Sequence, residues 1–171
     1  MATHRIEARP PRGAARAPVS IVDPDRVRLV LGDAAHVAGY ASELATPSTE
    51  AEVAAILRAS TSVLPIGAQS SLTGGATPRG DVVLSTSGFN RILEIDAGRV
   101  RLQAGVTLAA LDDALRQNGA YYPPAPTYSG AFIGGTVSTN AAGAATFKYG
   151  TTRDWVEAIT IVLPTGEVKE H

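Results

Sequence analysis

Two segments of this chain have a composition that suits neither the interior of a helix nor that of a strand. The first, residues 67–75, reads Gly-Ala-Gln-Ser-Ser-Leu-Thr-Gly-Gly. Because glycine adopts positive φ easily, successive backbone N–H groups in such a loop can point into one concavity and hold an anion. The hydroxyls of Ser70, Ser71 and Thr73 add further donors. The composition therefore indicates either a phosphate-binding loop or a tight glycine-rich turn.

This first segment differs from two common nucleotide-binding patterns. It has no lysine in front of a Ser or Thr, which excludes a P-loop. The apolar residues 62–66 predict a strand before it, but no helix is predicted directly after it, which excludes the fingerprint of a Rossmann fold.

The second segment, residues 123–150, shows no helical or strand periodicity. A loop of that length inside a compact domain is uncommon unless it is functional. Gly134 and Gly135 allow a flat ligand or a phosphate to approach the backbone, and Ser138, Thr139 and Asn140 supply short hydrogen-bonding side chains. The alternative is a disordered linker, which the apolar residues spread along the segment disfavour.

Composition excludes several other kinds of site. The 171 residues carry a formal net charge of -1, so no basic surface for nucleic acid is predicted. The absence of cysteine excludes disulfides, thiolate metal ligands and a cysteine nucleophile. The scattered His4, His36 and His171 predict no metal site. No apolar run has the length of a membrane span.

The N-terminal residues 1–20 are rich in arginine and also contain Pro10, Pro11 and Gly13. These three residues would break the amphipathic helix of a transit peptide, so we predict a flexible basic arm instead. Since no secretory signal is present, the expected location is the cytoplasm.

Local signals in the rest of the sequence predict the helices that position the two segments. Asp23 predicts the start of a short helix, and Thr49 with Glu52 has the spacing of a capping box at the start of a second one. Thr107 predicts the start of a third helix, and Gly119 marks its end by a left-handed turn.

Short apolar or alternating runs predict strands between these helices, over residues 62–66, 81–86, 92–95, 100–104, 156–163 and 167–169. Residues 40–47 are predicted to be a loop or an edge segment. The order of elements indicates an α+β fold with mostly strands and two packing helices, without the βαβ alternation of a doubly wound sheet.

Taken together, the two segments resemble the paired FAD-binding motifs of the PCMH-type flavoproteins, the vanillyl-alcohol oxidase and p-cresol methylhydroxylase family. The first family motif reads Pro-Arg-Gly-Gly-Gly-Thr-Ser-Leu-Thr-Gly-Gly, and residues 65–75 read Pro-Ile-Gly-Ala-Gln-Ser-Ser-Leu-Thr-Gly-Gly. The second includes Pro-Pro-Asp-Pro-Thr-Ser, Ile-Gly-Gly, Thr-Asn-Ala-x-Gly and Tyr-Gly-x-x-Arg-Asp. This chain has Pro-Pro-Ala-Pro-Thr-Tyr at 123–128, Ile-Gly-Gly at 133–135, Thr-Asn-Ala-Ala-Gly at 139–143 and Tyr-Gly-Thr-Thr-Arg-Asp at 149–154.

The resemblance is greatest to the subgroup with glycolate oxidase, D-lactate dehydrogenase and D-2-hydroxyglutarate dehydrogenase. It implies two small α+β subdomains that cradle FAD, with residues 21–171 forming the N-terminal part of the domain and the substrate-binding cap domain absent from this chain. The implied reaction is oxidation of a 2-hydroxy acid by hydride transfer to FAD, and the chain alone is expected to be inactive.

The resemblance also assigns roles to individual residues. Backbone amides of the first segment would wrap the FAD pyrophosphate, which places Gly67, Ala68, Gln69, Ser70, Ser71, Leu72 and Gly74 in the site. Three residues would lie along the ribityl chain or flavin: Pro126, Thr127 and Tyr128. The flavin and pyrophosphate would be lined by Gly134, Gly135, Ser138, Thr139, Asn140 and Gly143, and the pocket closed by Tyr149 and Gly150.

Several residues depart from the family motifs. Ala68 and Gln69 replace glycines and restrict positive φ if the loop needs it there, and Ile66 replaces an arginine, so a lower affinity for FAD is expected. Tyr128 and Phe132 replace Ser and Thr, which removes hydroxyl contacts. Since neither segment contains His or Cys, the expected FAD is non-covalent.

The resemblance leaves the catalytic residues unassigned. Arg153 and Asp154 are expected to orient the second segment and to form an ion pair. A small-molecule substrate would bind through the missing cap domain, and a redox partner or companion subunit is possible. The alternatives are another user of the same FAD scaffold, such as an alditol oxidase, an alkyl-glycerone-phosphate synthase or an enolpyruvyl-UDP-sugar reductase, and a truncated non-catalytic remnant.

Overall fold

The structure is a computed structural model that describes residues 20–171, apart from residues 22, 97 and 125. The predicted basic arm over residues 1–20 lies outside these described residues, with the exception of Ser20, which begins the first strand. No helix in the described range is long and apolar enough to cross a membrane.

Helices and strands alternate irregularly along the chain, as expected for an α+β fold. The helices are α1 Pro24–Arg28, α2 Glu50–Ala59, α3 Leu108–Gln117, α4 Ile133–Ser138 and α5 Thr146–Tyr149, with 3-10 turns at Thr86–Gly88 and Thr152–Trp155. The strands are β1 Ser20–Ile21, β2 Glu43–Ala45, β3 Val63–Ile66, β4 Val82–Ser85, β5 Ile92–Asp96, β6 Arg99–Leu102, β7 Thr160–Val162 and β8 Val168–Glu170.

The largest sheet has the strand order β1-β2-β4-β3, in which β2, β4 and β3 are parallel and β1 is antiparallel to β2. The prediction of a loop or edge segment over residues 40–47 was therefore wrong, because β2 lies inside the sheet. Leu44 and Ala45 are buried there, and a strand this short carries too few residues to show a period. The chain also contains one parallel β2–α2–β3 crossover, with β4 between its two strands.

Alternate residues of this sheet pack on its two faces, as strand geometry requires. On one face, Leu44, Ile66 and Val83 form a cluster with Val27 of α1. On the other face, Ala45 and Leu84 pack with Ile56 of α2. The sheet is thus covered on both sides, which explains why its central strand β4 is a continuous apolar run.

The second part of the molecule is built on two hairpins and α3. The β5–β6 hairpin packs over Leu111 and Leu115 on the buried face of α3, and over Val106, which precedes the helix. The β7–β8 hairpin follows, and its ladder continues through reciprocal hydrogen bonds between Ile159 and His171. The strand predicted over residues 156–163 is shorter in the structure, because the ladder with β8 begins only at Ile159, which pairs with His171, and β7 ends at Val162.

All three predicted helix starts are confirmed. Asp23 caps α1, Thr49 and Glu52 form a complete capping box on α2, and Thr107 caps α3. Hydrogen bonds from the backbone and hydroxyl of Ser48 and from the backbone of Thr49 lower the pKa of Glu52. Gly119 has a φ of 68° at the end of α3, as its position predicted.

Candidate cofactor-binding site

The first glycine-rich segment begins where β3 ends at the edge of the parallel sheet. Within the described part of the chain, the backbone amides of residues 68–72 have no hydrogen-bond acceptor. Most of the segment's side chains are exposed or only half-buried, and Leu72 is 80% exposed. Because unpaired backbone N–H groups need a partner, this run of amides suits an anionic ligand.

Gln69 holds the first segment against the chain that follows α1. Its backbone has a φ of 49°, in the left-handed region that non-glycine residues rarely adopt. Its side-chain amide donates to the carbonyl of Val30 at 3.0 Å and to that of Ala76 at 2.8 Å, and its own carbonyl accepts from the amide of Ala34 at 3.0 Å. The loop thus requires positive φ at this residue, and Gln69 provides it.

The buried carboxylate of Asp33 makes a second connection, to the residues directly after this segment, which sequence reasoning missed. Asp33 accepts hydrogen bonds from the amides of Ala35 at 3.0 Å and Ala76 at 3.3 Å, and its own amide donates to the hydroxyl of Thr77 at 3.4 Å. Only an isolated aspartate after Gly32 was visible in the sequence, and nothing local connects it to residues 76 and 77.

The second segment is not the irregular loop that the sequence predicted, because it contains the two short helices α4 and α5. Small residues give α4 no apolar stripe, so periodicity could not reveal it. Its start is held by tertiary contacts instead: the amides of Ile133 and Gly134 donate to the carbonyls of Val106 at 2.9 Å and Ala104 at 2.7 Å.

Gly134 and Gly135 have different surroundings although they are adjacent. A Cβ added to Gly134 would lie 2.8 Å from the Cβ of Ala104, whereas one added to Gly135 would meet no atom of the described residues within 4 Å. The missing side chain at Gly134 therefore serves internal packing. The open surface at Gly135 matches the predicted close approach of a ligand to the backbone.

The polar side chains that follow α4 first satisfy the protein's own backbone. The hydroxyls of Ser138 and Thr139 donate to the carbonyls of Gly134 and Gly135, four residues earlier, at 2.7 and 2.9 Å. Asn140 has a φ of 48°, and its side-chain oxygen accepts from the amide of Arg153 at 2.9 Å. These hydroxyls retain acceptor capacity, but their donor hydrogens are already used.

The end of the second segment is held by hydrogen bonds to the residues after it. The buried hydroxyl of Thr152 donates to the carbonyl of Ala141 at 2.9 Å, and the hydroxyl of Thr146 accepts from the amide of Gly143, also at 2.9 Å. Gly150 has a φ of 80°, and a Cβ added there would overlap the carboxylate of Asp154.

Asp154 orients this part of the segment as expected. Its carboxylate accepts from the amide and hydroxyl of Thr151 at 2.7 and 3.1 Å. The expected ion pair between Arg153 and Asp154 was wrong, since the ion pairs among the described residues do not include it. The Asp154 carboxylate instead accepts hydrogen bonds at the start of the 3-10 turn and caps it.

Among the predicted site residues after the proline pair, Thr127 and Tyr128 are exposed and Pro126 is half-buried. The ring of Tyr128 folds over Gly130, where an added Cβ would lie 2.7 Å from the tyrosine hydroxyl. An exposed tyrosine thus stands within the second segment where the family has a serine.

Phe132 brings the two segments together. A Cβ added to Gly67 would lie 3.4 Å from the Cβ of Phe132 and 3.7 Å from its Cγ, which is ordinary van der Waals contact. Sequence reasoning noted Phe132 only for its missing hydroxyl. The structure shows that it packs the start of the first segment against the start of α4.

Tyr149 lies in a small aromatic group on the surface. Its hydroxyl is 3.4 Å from that of Tyr121, the two rings meet edge to face, and the Nζ of Lys148 is 4.7 Å from the Tyr149 ring centroid. Lys148, and next Tyr121, lower the pKa of Tyr149 by hydrogen bonding, whereas the same contacts raise the pKa values of Tyr121 and Lys148.

An open groove of about 330 Å³ lies at the other end of α4. Ser138 and Asn140 are the predicted site residues that line it, together with Arg153, Ile159 and His171. No residue of the first segment lines this groove, so it is distinct from the surface where the two segments meet.

The arrangement fits a dinucleotide cofactor with a central pyrophosphate. The first segment offers consecutive amides that no described residue accepts from, and the second offers a surface without a side chain at Gly135. Backbone donors of this kind bind phosphate oxygens.

Comparison with known proteins agrees with this geometry. Residues 41–171 match the family described as FAD binding domain. A D-lactate dehydrogenase from Anaerostipes hadrus is 44% identical over 128 residues, which are 71% of this chain and 27% of that protein. A D-2-hydroxyglutarate dehydrogenase from Xanthomonas citri pv. viticola is 36% identical over 135 residues, which are 74% of this chain and 29% of that protein.

The fold is also found in a solved structure. The crystal structure of 6-hydroxy-D-nicotine oxidase from Arthrobacter nicotinovorans superposes with a TM-score of 0.80 at 22% identity, over 90% of this chain and 35% of that one. The chain thus spans less than a third of the length of the two curated dehydrogenases. It belongs to the FAD-binding domain family, of the PCMH type that its two motifs indicated, and the cofactor of this domain is FAD.

Proposed function

We propose that this chain is the FAD-holding part of an enzyme that oxidises a 2-hydroxy acid, and that it binds FAD without a covalent bond. The relatives at 44% and 36% identity are named for D-lactate and D-2-hydroxyglutarate, which are both 2-hydroxy acids. The shared chemical class, rather than either compound, is what we transfer to this chain.

The observation that carries the proposal is the run of amides at residues 68–72 that have no acceptor among the described residues. A pyrophosphate is the part of FAD that needs many donors in a short stretch of backbone. The amides of the first segment would hold it, and the open backbone at Gly135 would accept the flavin side of the cofactor.

The proposal of a non-covalent cofactor is supported by the residue types near the site. Neither segment contains histidine or cysteine, and the chain has no cysteine at all. His36 is exposed and lies in the chain that contacts the first segment, two residues after Ala34, whose amide bonds to Gln69. It is the histidine to replace first if a covalent flavin is found.

Bound FAD supplies the acceptor for the hydride that leaves the substrate carbon. This chain's residues bind and orient the cofactor. We propose that the substrate is held by a cap domain, encoded with this chain or provided by a companion subunit, and that a redox partner then reoxidises the cofactor.

Flavin retention tests the binding part of the proposal. The purified protein is incubated with FAD, desalted and scanned for flavin absorbance, and then precipitated with acid. We expect flavin bands that survive desalting and then appear in the acid supernatant. Flavin that remains in the acid pellet would overturn the non-covalent assignment, and protein without flavin after desalting would overturn binding by this chain.

Dye reduction tests the reaction. The complete enzyme that contains this domain is supplied with D-lactate, D-2-hydroxyglutarate or glycolate and an artificial electron acceptor. We expect reduction with at least one of these acids and none with an alditol. Activity with alditols alone would contradict the proposed substrate class.

A further inference from the structure

Three polar contacts join the first segment and Ala76, the residue directly after it, to residues 30–34, which follow α1. The side-chain amide of Gln69 donates to the carbonyl of Val30, the carbonyl of Gln69 accepts from the amide of Ala34, and the carboxylate of Asp33 accepts from the amide of Ala76. Two of the three contacts involve Gln69. The segment is therefore anchored at Gln69, near its start, and just beyond its end at Ala76, by residues that lie far away in sequence.

Gln69 is also the residue of this segment whose backbone is least favourable for its side chain. Its φ of 49° lies in the left-handed region, where glycine is the usual residue. The side-chain amide uses both of its hydrogens on two carbonyls, at 3.0 and 2.8 Å. These two bonds fix the side chain and hence the strained backbone from which it projects.

The position of Gln69 places this strain beside the unpaired amides. Gln69 is the second of the five residues, 68–72, whose amides have no acceptor in the described part of the chain. A change of its φ would rotate the peptide planes on both sides and redirect the amides of Gln69 and Ser70.

We propose that Gln69 is a positioning residue for the cofactor: its amide clamp on Val30 and Ala76 holds the left-handed turn that aligns the amides of residues 68–72 on the FAD pyrophosphate. The proposal rests on the FAD-binding function given above. It differs from a glycine-based loop, because here the conformation is imposed by a side chain and not merely permitted by the lack of one.

Three substitutions separate the clamp from the backbone preference. Gln69→Gly permits the same φ but removes the clamp. Gln69→Asn tolerates the left-handed region and keeps an amide that is one methylene too short for both carbonyls. Gln69→Glu keeps the length but presents oxygens to the two carbonyl oxygens. Gln117→Glu, on the exposed end of α3, is the control for added negative charge.

The affinity for FAD is measured by titration of flavin fluorescence, with thermal unfolding of the cofactor-free protein alongside. We expect the Kd for FAD to rise about tenfold in Gln69→Gly and by more in Gln69→Glu. In Gln69→Asn it should lie between the values of wild type and Gln69→Gly. The Gln117→Glu control is expected to keep the wild-type Kd. Hydrogen–deuterium exchange without FAD is expected to be faster at the hydrogen-bonded amides of Ala34, Ala76 and Thr77 in the glycine and glutamate variants, and unchanged over α3.

Two outcomes overturn the inference while leaving the proposed function intact. One is a Kd within twofold of wild type in both Gln69→Gly and Gln69→Glu. The other is a weaker affinity accompanied by faster exchange throughout the sheet and a large fall in unfolding temperature, which would make Gln69 a general structural residue. Failure of the wild-type protein to bind FAD would instead overturn the proposed function. Unchanged exchange at the amides of Ala34, Ala76 and Thr77 in the variants would then overturn the clamp as well.

Discussion

The amide of Gly134 donates to the carbonyl of Ala104 at 2.7 Å, and a Cβ added to Gly134 would lie only 2.8 Å from the Cβ of Ala104. This close contact fixes the start of α4 on the connection between β6 and α3. Gly135, the next residue, has open space where its side chain would be. Gly134 is therefore needed for close packing inside the protein, whereas Gly135 leaves its backbone accessible.

Alanine substitutions at the two glycines are expected to have opposite effects. Gly134→Ala should lower the free energy of unfolding by about 1–3 kcal/mol, because backbone and Ala104 must move apart. Gly135→Ala should leave stability unchanged or raise it by about 0.5–1 kcal/mol, since alanine favours the helix, but weaken FAD binding by filling the open surface. Urea unfolding measures the stability of both variants, and FAD titration measures their affinity. Equal stability of the two variants would contradict the different surroundings given to the two glycines.

The carboxylate of Glu52 should make stability depend on pH. Its folded pKa is lowered from 4.5 by hydrogen bonds, chiefly from the Ser48 backbone, so its contribution is complete above pH 4.5 and is lost as the pH falls through the folded pKa. Glu52→Gln should therefore cost about 1 kcal/mol at pH 7 and progressively less at acid pH. Urea unfolding at a series of pH values measures the difference.

Glu50→Gln is the matched control for this pH series. Glu50 lies in the same first turn of α2, but it makes no side-chain hydrogen bond within the described residues. The comparison separates the hydrogen bonds from the general effect of negative charge near the helix start. A loss at pH 7 as large for Glu50→Gln as for Glu52→Gln would contradict the role given to the capping box.

Thr152 is expected to stabilise the second segment through its hydroxyl. The residue is 1% exposed and donates to the carbonyl of Ala141 at 2.9 Å. Thr152→Val keeps the shape but removes this donor, and we expect a loss of about 1–2 kcal/mol in the free energy of unfolding. Thr160→Val, at an exposed position of β7, should change it by less than about 0.5 kcal/mol. A neutral Thr152→Val would show that the hydroxyl bond contributes nothing.

Lys148 should control the ionisation of Tyr149. Since Lys148 is the main cause that lowers the pKa of Tyr149, Lys148→Met is expected to raise that pKa toward 10.0. Absorbance of tyrosinate is followed during an alkaline titration of the FAD-free protein, with Tyr149→Phe identifying the signal among the five tyrosines. Lys169→Met removes the other lysine of the chain, away from the ring, and should leave the pKa of Tyr149 unchanged. A shift of this pKa in Lys169→Met and not in Lys148→Met would contradict the role given to Lys148.

Much of the scaffold could be predicted because its signals are local. Asp23, Thr49 with Glu52, and Thr107 start their helices through bonds to residues two or three positions away, so the short sequence around each of them is sufficient. The apolar runs that became β3 and β4 were visible for the same reason. The pairing of β2 between β1 and β4 depends on contacts across the chain, and no local pattern indicated it.

The sequence by itself determined that this protein has two glycine-rich segments of the FAD-binding type, since that information lies in residue types and their order. Only the tertiary structure decided how those segments are held: that α4 forms on the carbonyls of Val106 and Ala104, and that Gln69 takes a left-handed conformation clamped to Val30. Such contacts join residues tens of positions apart, and their energies depend on distances that exist only once the chain has folded.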